Sequence, residues 1–276
     1  MLLGSAAMEK LAGSRVAVFG IGGVGGFACE AMVRSGIGAF DLIDNDTVSL
    51  TNLNRQIIAL HSTIGRYKVD VMRERMLDIN PAVCVRTYST FVLPENVDEF
   101  PFSEYDYIVD AVDTVTAKVQ LAVKAAEYGV PIICCMGAGN KLDGSQFKVA
   151  DIYETKYCPL AKVMRHEMKK RGIRKLKVVY SEEPALRPLT EAAAYLAEDG
   201  SKLAGAACGA SAGTYAEKDN GIICESGGRN ETDSRLYSGL PLSRRSVPGS
   251  TAFVPSMAGL LIGGEVVKDL VREELL

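Results

Sequence analysis

The 276-residue sequence predicts an α/β fold: a mostly parallel sheet with helices on both faces, continued by additional strands in the C-terminal half. Three observations predict it. Short β-branched runs alternate with amphipathic stretches through the first half. The first of these runs ends in a cluster of glycines. The resulting β-α-β rhythm buries its strands under helices on both sides.

Composition excludes several classes. Apolar residues make up 47% and charged residues 24%, the proportions of a globular chain rather than a disordered or fibrous one. No apolar run approaches the roughly 20 residues of a membrane span. The longest candidate, residues 257–267, contains Glu265 and three glycines. The opening MLLGSAAMEK is too short and too polar for a secretory signal, so a cytoplasmic location is expected. A net charge of −3 does not by itself announce a nucleic-acid partner. Seven cysteines without a C-x-x-C pair argue against a disulfide framework or a cysteine zinc site, and two histidines argue against a histidine-rich metal centre.

The elements follow in order. Residues 15–19 (RVAVF) read as the first strand, and 25–35 as a helix with Ala28, Ala31 and Met32 on one face. A strand over 40–43 precedes a helix over 65–80, whose Val69, Met72, Met76 and Ile79 share a side and which Pro81 stops. Strands are predicted over 83–88, 107–112 and 132–136, the last two separated by a helix that runs through Ala126 and ends at Gly129 and Pro131. Residues 147–152 and 176–180 read as strands, and 159–171 as a helix opened by Pro159. From 188 to 246 the composition turns to Gly, Ala and Ser; part of 190–206 reads as helix and the rest as a mobile insertion. A last helix is expected over 257–271. The chain thus reads as a single domain, 1–276, with a nucleotide-binding half, 14–150, and a substrate-facing half, 151–276.

Gly20-Ile-Gly22-Gly23-Val-Gly25 directly follows the first strand and opens a helix. Glycines here permit a tight turn and close backbone approach, so that a helix N-terminus meets a phosphate. Asp44 ends the next strand, where an acid hydrogen-bonds a ribose. The pattern is Rossmann-like, and a nicotinamide oxidoreductase is its commonest user. Three further residues point to a triphosphate instead. Arg55 lies within Thr51-Asn52-Leu53-Asn54-Arg55-Gln56. Lys68 stands in a first helical turn, where a cation opposes the dipole unless an anion is near. Asp113 follows the strand ending Asp110-Ala-Val. Two cations and a carboxylate suit a triphosphate with its magnesium.

Together GIGGVG, Asp44-Asn-Asp46, Thr51 to Gln56, Gly65-x-x-Lys68-Val69 and Asp110-Ala-Val-Asp113 resemble the ATP-adenylating superfamily of ThiF, MoeB and ubiquitin-activating enzymes. The resemblance implies ATP and Mg2+ as ligands, and activation of a substrate carboxylate as an acyl-adenylate. Gly20, Gly22, Gly23 and Gly25 would form the ATP loop. Asp44 would hold the ribose, Asn52, Arg55 and Lys68 the phosphates, and Asp113 the magnesium; Arg55, Lys68 and Asp113 are the implied catalytic residues. A narrower likeness, in GAGNKLD (137–143), VADIY (149–153), Cys158-Pro-Leu-Ala161 and KLKVVYS (175–181), is to the family of tRNA threonylcarbamoyladenosine dehydratases. It implies ATP-dependent cyclisation of a modified adenosine beside the anticodon, and a homodimer. The alternative within the superfamily is an adenylating enzyme for a sulfur-carrier or ubiquitin-like protein; many of those carry paired C-x-x-C motifs, absent here. The family's basic residue upstream of the Leu-Leu-Gly segment has no counterpart before Met1-Leu-Leu-Gly4.

Residues 162–177 carry eight cations against Glu167 alone. Lys162, Arg165 and Lys169 are expected on the solvent side of the helix over 159–171, opposite a buried stripe of Leu160, Val163, Met164 and Met168. A single-signed run in an acidic chain suits RNA phosphates, so Lys162, Arg165, Lys169, Lys170, Arg171, Arg174 and Lys175 are predicted to meet the anticodon stem-loop of tRNA. The last helix is apolar on more than one face, which also predicts a homodimer. Cys158, ahead of Pro159 at a helix start, is placed for a lowered thiol pKa and leaves room for a sulfur-relay or redox protein partner.

Overall fold

The computed structural model describes residues 2–186 and 249–274, which belong to one compact unit. The insertion predicted over 188–246, and the helix expected within 190–206, lie outside the described residues. The strands are β1 (Arg15–Phe19), β2 (Ala39–Ile43), β3 (Cys84–Tyr88), β4 (Tyr107–Asp110), β5 (Ile132–Cys135), β6 (Phe147–Asp151) and β7 (Lys177–Ser181). They form one sheet in the order β3-β2-β1-β4-β5-β7-β6. Every neighbouring pair is parallel except β6, which runs antiparallel to β7. The helices are α1 (Gly4–Gly13), α2 (Gly25–Arg34), α3 (Lys68–Ile79), α4 (Val115–Tyr128), α5 (Pro159–Lys170) and α6 (Phe253–Leu270). Among the described residues no helix is long and apolar enough to cross a membrane.

Alternation along β1 supplies both cores. Val16 and Val18 face a cluster that holds Ala28 and Met32 of α2 and Ala258, Ile262 and Val266 of α6. Ala17 and Phe19 face the other side, with Ile108, Leu121 and an aromatic group of Phe100, Phe102 and Tyr105. A third cluster joins β5 and β7 to α5 through Cys134, Val178, Met164 and Met168. Gly129, at φ 67, ends α4 in the left-handed conformation that a side chain resists.

Several boundaries differ from expectation. The helix predicted from 65 starts at Lys68, because Gly65 sits at φ 86 with its N–H donated to the Val48 carbonyl, and Thr47 bridges Tyr67. β4 stops at Asp110 instead of Val112, since the Asp110 carboxylate accepts the Val112 N–H at 3.2 Å and turns the chain out of the sheet. α6 starts four residues before the expected 257, with Pro255 in its first turn, where a missing N–H costs nothing. α1 was not foreseen. It buries only Ala7 and Leu11, too few to mark a period.

α6 lies so close on α2 that glycine is required between them. A Cβ at Gly259 would stand 2.3 Å from the Val24 carbonyl oxygen, and one at Gly263 2.7 Å from Ala31 Cβ; at Gly264 it would meet nothing within 4 Å. Gly259→Ala is therefore expected to cost about 1–3 kcal/mol, seen as a lower Tm. Gly264→Ala, on the same helix, is expected to hold or raise Tm, because alanine is favoured by about 1 kcal/mol in a helix.

Candidate active site

β1 is joined to β2 on one side and pairs with β4 on the other, so the loops leaving β1 and β4 diverge and open a crevice at their carboxyl ends. Gly20, at φ 92, lies against the loop after β4: a Cβ there would be 2.6 Å from the Ala111 carbonyl oxygen. At Gly25 it would be 1.8 Å from the Gly20 oxygen. Gly22 is different. A Cβ on it would meet only Gln56 Nε2, at 3.9 Å, so its side of the loop is open to a ligand. Gly23 backs onto Arg55, whose Cγ would be 3.3 Å from an added Cβ.

Asp44, directly after β2, accepts the Ile21 N–H at 2.7 Å through Oδ2 and the Asp46 N–H at 2.8 Å through Oδ1, which turns the carboxylate toward the glycine loop. Lys68 opens α3 with its Nζ 2.7 Å from Asp46 Oδ2 and 3.8 Å from Asp44 Oδ1. The anions nearest this cation among the described residues are the chain's own Asp46 and Asp44. Asn52 is buried, and its Oδ1 accepts the Ser49 N–H at 3.1 Å. Arg55 donates to the Thr51 carbonyl and to Asn54 Oδ1, each at 3.0 Å, and among the described residues no carboxylate pairs with it. Its charge is available to a phosphate.

Gln56, in the same motif, carries no charge to mark it in the sequence. It is 6% exposed, and its Oε1 is buried with no donor among the described residues. An orphan of this kind costs about 1–3 kcal/mol, and a ligand hydroxyl or amino group would relieve it. Burial, rather than charge, is the signal that finds this residue.

Asp113 lies on the exposed loop between β4 and α4, one residue before the N-cap position, which Thr114 occupies without a side-chain hydrogen bond. Among the described residues no cluster of three or more His, Cys, Asp or Glu could hold a metal. Magnesium, however, takes one or two carboxylates when phosphate oxygens and water supply the rest, so Asp113 fits that part beside a triphosphate. Beneath it Lys118, 1% exposed, places Nζ 3.1 Å from both Asp110 oxygens and 2.7 Å from the Cys135 carbonyl, tying the ends of β4 and β5 together. Burial above all, opposed by Lys118 and reinforced by the Asp110 carboxylate, pushes the Cys135 thiol up to about 12. Cys29, Cys134 and Cys158 are buried and free as well, and Cys84 is free and exposed.

Residues 249–251 cross the rim of the site. The Asn140 N–H donates to the Gly249 carbonyl at 2.8 Å, and Asn140 Oδ1 accepts the Gly249 N–H at 2.6 Å. The Asn140 carbonyl also accepts the N–H of Leu186 at 2.8 Å. Asn54 Nδ2 donates to the Ser250 carbonyl at 3.0 Å, and Thr251 Oγ1 is a second buried polar atom without a partner among the described residues.

The basic segment does not form one face. Arg165 turns inward: its Nη1 donates to the Thr155 carbonyl at 2.6 Å and to the Thr155 hydroxyl. Val163, expected in the buried stripe, is 46% exposed, while Ala161, Met164 and Met168 are buried. Lys170 and Arg171 pair with Glu167, at 3.2 and 2.6 Å. Lys175 lines a cleft of about 880 Å3 at the amino-terminal edge of the sheet, away from the glycine loop. Lys162, Lys169 and Arg174 are exposed without an ion pair among the described residues.

A glycine loop at a topological switch point, an acid at the end of β2 turned toward it, and an arginine with no carboxylate partner among the described residues define a nucleotide-binding α/β protein. The chain belongs to the ThiF family, which it matches over residues 1–274. It is 37% identical to the tRNA threonylcarbamoyladenosine dehydratase of Bacillus subtilis (strain 168) over 274 residues, 99% of this chain and 93% of that protein. The Escherichia coli (strain K12) protein of the same name is 41% identical over 168 residues, 61% of this chain and 63% of that protein. The crystal structure of the E. coli enzyme matches with a TM-score of 0.75 at 28% identity, over 99% of this chain and 92% of that one. The E. coli enzyme has also been solved in complex with ATP and with AMP.

The buried Lys118–Asp110 pair under the site gives a direct test of how that loop is held. Lys118→Met strands the Asp110 carboxylate and is expected to cost about 3–5 kcal/mol, read as a fall in chemical-denaturation stability. Adding Asp110→Asn to it is expected to recover most of the loss.

Proposed function

We infer that this chain is an ATP-dependent tRNA threonylcarbamoyladenosine dehydratase. What carries the reading is that the likeness to the B. subtilis enzyme runs along nearly the whole of both chains and that the switch-point site lies within it. In the proposed reaction the threonine-derived carboxylate attacks the α-phosphorus of ATP and pyrophosphate leaves. The carbamoyl oxygen of the same substituent then attacks the activated carbonyl and AMP departs. The nitrogen gives up its proton, and the nucleoside has lost the elements of water. Because the second nucleophile is already attached, orientation supplies much of the rate, and no enzyme nucleophile is required. The raised Cys135 thiol fits that economy.

The geometry supports the following residue roles. Asp44, turned toward the glycine loop, holds the ribose. Gly22 and Gly23 give the phosphates access to the backbone, and Arg55 offsets the charge that develops on them. Asn52 shapes the turn that presents Arg55. Lys68 shares its charge between Asp46 and a phosphate. Asp113 would hold Mg2+, which would supply charge neutralisation at the phosphates. Incubating tRNA and ATP with the protein is expected to lower the mass of the threonylcarbamoyl nucleoside by one water. Asp113→Ala is expected to abolish this in a folded protein, and Arg55→Ala to cost about 2–4 kcal/mol of transition-state stabilisation. A nucleoside of unchanged mass with wild-type protein would overturn the reading.

The tRNA face is assigned to Lys162, Lys169 and Arg174, with Arg165 reassigned to holding the α5 approach. Lys162→Glu with Lys169→Glu is expected to weaken binding of an anticodon stem-loop, and to flatten the log–log dependence on salt by nearly one unit per lost contact. ATP binding is expected to stay unchanged.

A homodimer is proposed through α6. Phe253, Met257 and Leu260 are 50%, 42% and 49% exposed along one side of it, a stripe that a second copy would cover. Sedimentation is expected to show a dimer that Met257→Glu with Leu260→Glu converts to monomer.

A further inference from the structure

Between β6 and α5 the chain makes a turn that has no part in the chemistry above. The Cys158 N–H donates to the Lys156 carbonyl at 2.7 Å, closing a three-residue γ-turn around Tyr157, whose φ is 58. A γ-turn with positive φ at its centre is the rarer and more strained of the two forms. A bulky side chain there persists only where its surroundings enforce it. Here they do. Thr155, on one side, is buried and accepts from Arg165 at both its carbonyl and its hydroxyl. Cys158, on the other, is buried in the cluster that contains Met136, Met164 and Tyr180. Clamped at both ends, the turn holds the Tyr157 ring out, 78% exposed.

The position of this ring matters more than its exposure, since single exposed aromatics are common. Cys158 shares a buried cluster with Met136, the residue after β5, and with Tyr180 near the end of β7, so the turn stands at the carboxyl edge of the sheet, the edge that carries the nucleotide loop. Lys156 precedes the ring and Lys162 follows within the first turn of α5, both exposed. A rigid aromatic face flanked by cations is how proteins hold unpaired bases: the ring takes the base face and the lysines take the phosphates.

We propose that Tyr157 stacks on an unpaired base of the anticodon loop and so sets which neighbouring nucleotide enters the site. The proposal rests on the tRNA reading given above. A stacked base contributes through its face rather than its edge, so the contact fixes position without demanding one sequence.

Two variants test it in the full chain. Tyr157→Gly removes the ring and suits φ 58, so its Tm is expected to equal or exceed the wild type. Its affinity for an anticodon stem-loop is expected to fall about tenfold, with ATP binding unchanged. Tyr157→Trp introduces the one tryptophan of a chain that has none, and its emission is expected to be quenched as the stem-loop saturates. Wild-type RNA affinity in Tyr157→Gly, or unchanged tryptophan emission at saturating RNA, would overturn the proposal. So would a Tyr157→Gly variant whose only change is loss of the dimer, because the ring would then serve a second copy. If Lys162→Glu with Lys169→Glu loses RNA while the tryptophan stays silent, the stacking assignment alone fails. If those lysine variants also bind normally, the tRNA face itself has been misplaced.

Discussion

Where β1 and β4 deliver their chains to the same edge of the sheet, Gly20 and Ala111 approach so closely that one added Cβ would stand 2.6 Å from a carbonyl oxygen. Gly25 then tucks its Cα against Gly20 as α2 begins. These backbone contacts leave no room for side chains, and they fix the start of α2 relative to the loop carrying Asp113. The Asp110–Lys118 pair secures the same loop from below. Asp44 secures the glycine loop from the other side through Ile21. The glycine loop and Asp113 thus owe their placement to fixed backbone segments, while Lys68 is set by its pairs with Asp46 and Asp44.

The first half of the sheet was legible because its strands are short, apolar and separated by glycine or proline, signals that depend only on local chemistry. β1 was bounded to the residue at Arg15 and Phe19. Boundaries failed where a tertiary contact decided them, as at Gly65, held in its turn by Val48, and at Val112, drawn out by Asp110. α1 escaped because its two buried residues carry no period. The charged site residues could be named from spacing alone. Lys68, though, was argued from an unbalanced helix dipole, and its balance comes from Asp46, a residue of the same quoted motif. Gln56 was hidden for the opposite reason: an uncharged amide draws notice only when its oxygen is seen to be buried without a donor.

The basic segment shows how far a charge count can mislead about geometry. Eight cations in sequence suggest one electropositive face. The fold divides them among an inward clamp (Arg165), two intrahelical pairs to Glu167 and an opposite-edge cleft at Lys175. Lys177 is spent on Glu265 and Asp269 of α6, at 2.6 and 2.8 Å. What is left for a polyanion is small: Lys162 near the start of α5, Lys169 in its last turn and Arg174 beyond its end. A few well-placed phosphate contacts position a nucleic acid better than a diffuse field does.

Asn140 accepts the Leu186 N–H at its carbonyl, and it meets Gly249 through both its own N–H and its side-chain oxygen. Two stretches far apart in sequence, the exit from β7 and the entry to α6, are thereby held by one residue. A change at this single position would loosen both together, and with them the Ser250 carbonyl that Asn54 holds beside the glycine loop.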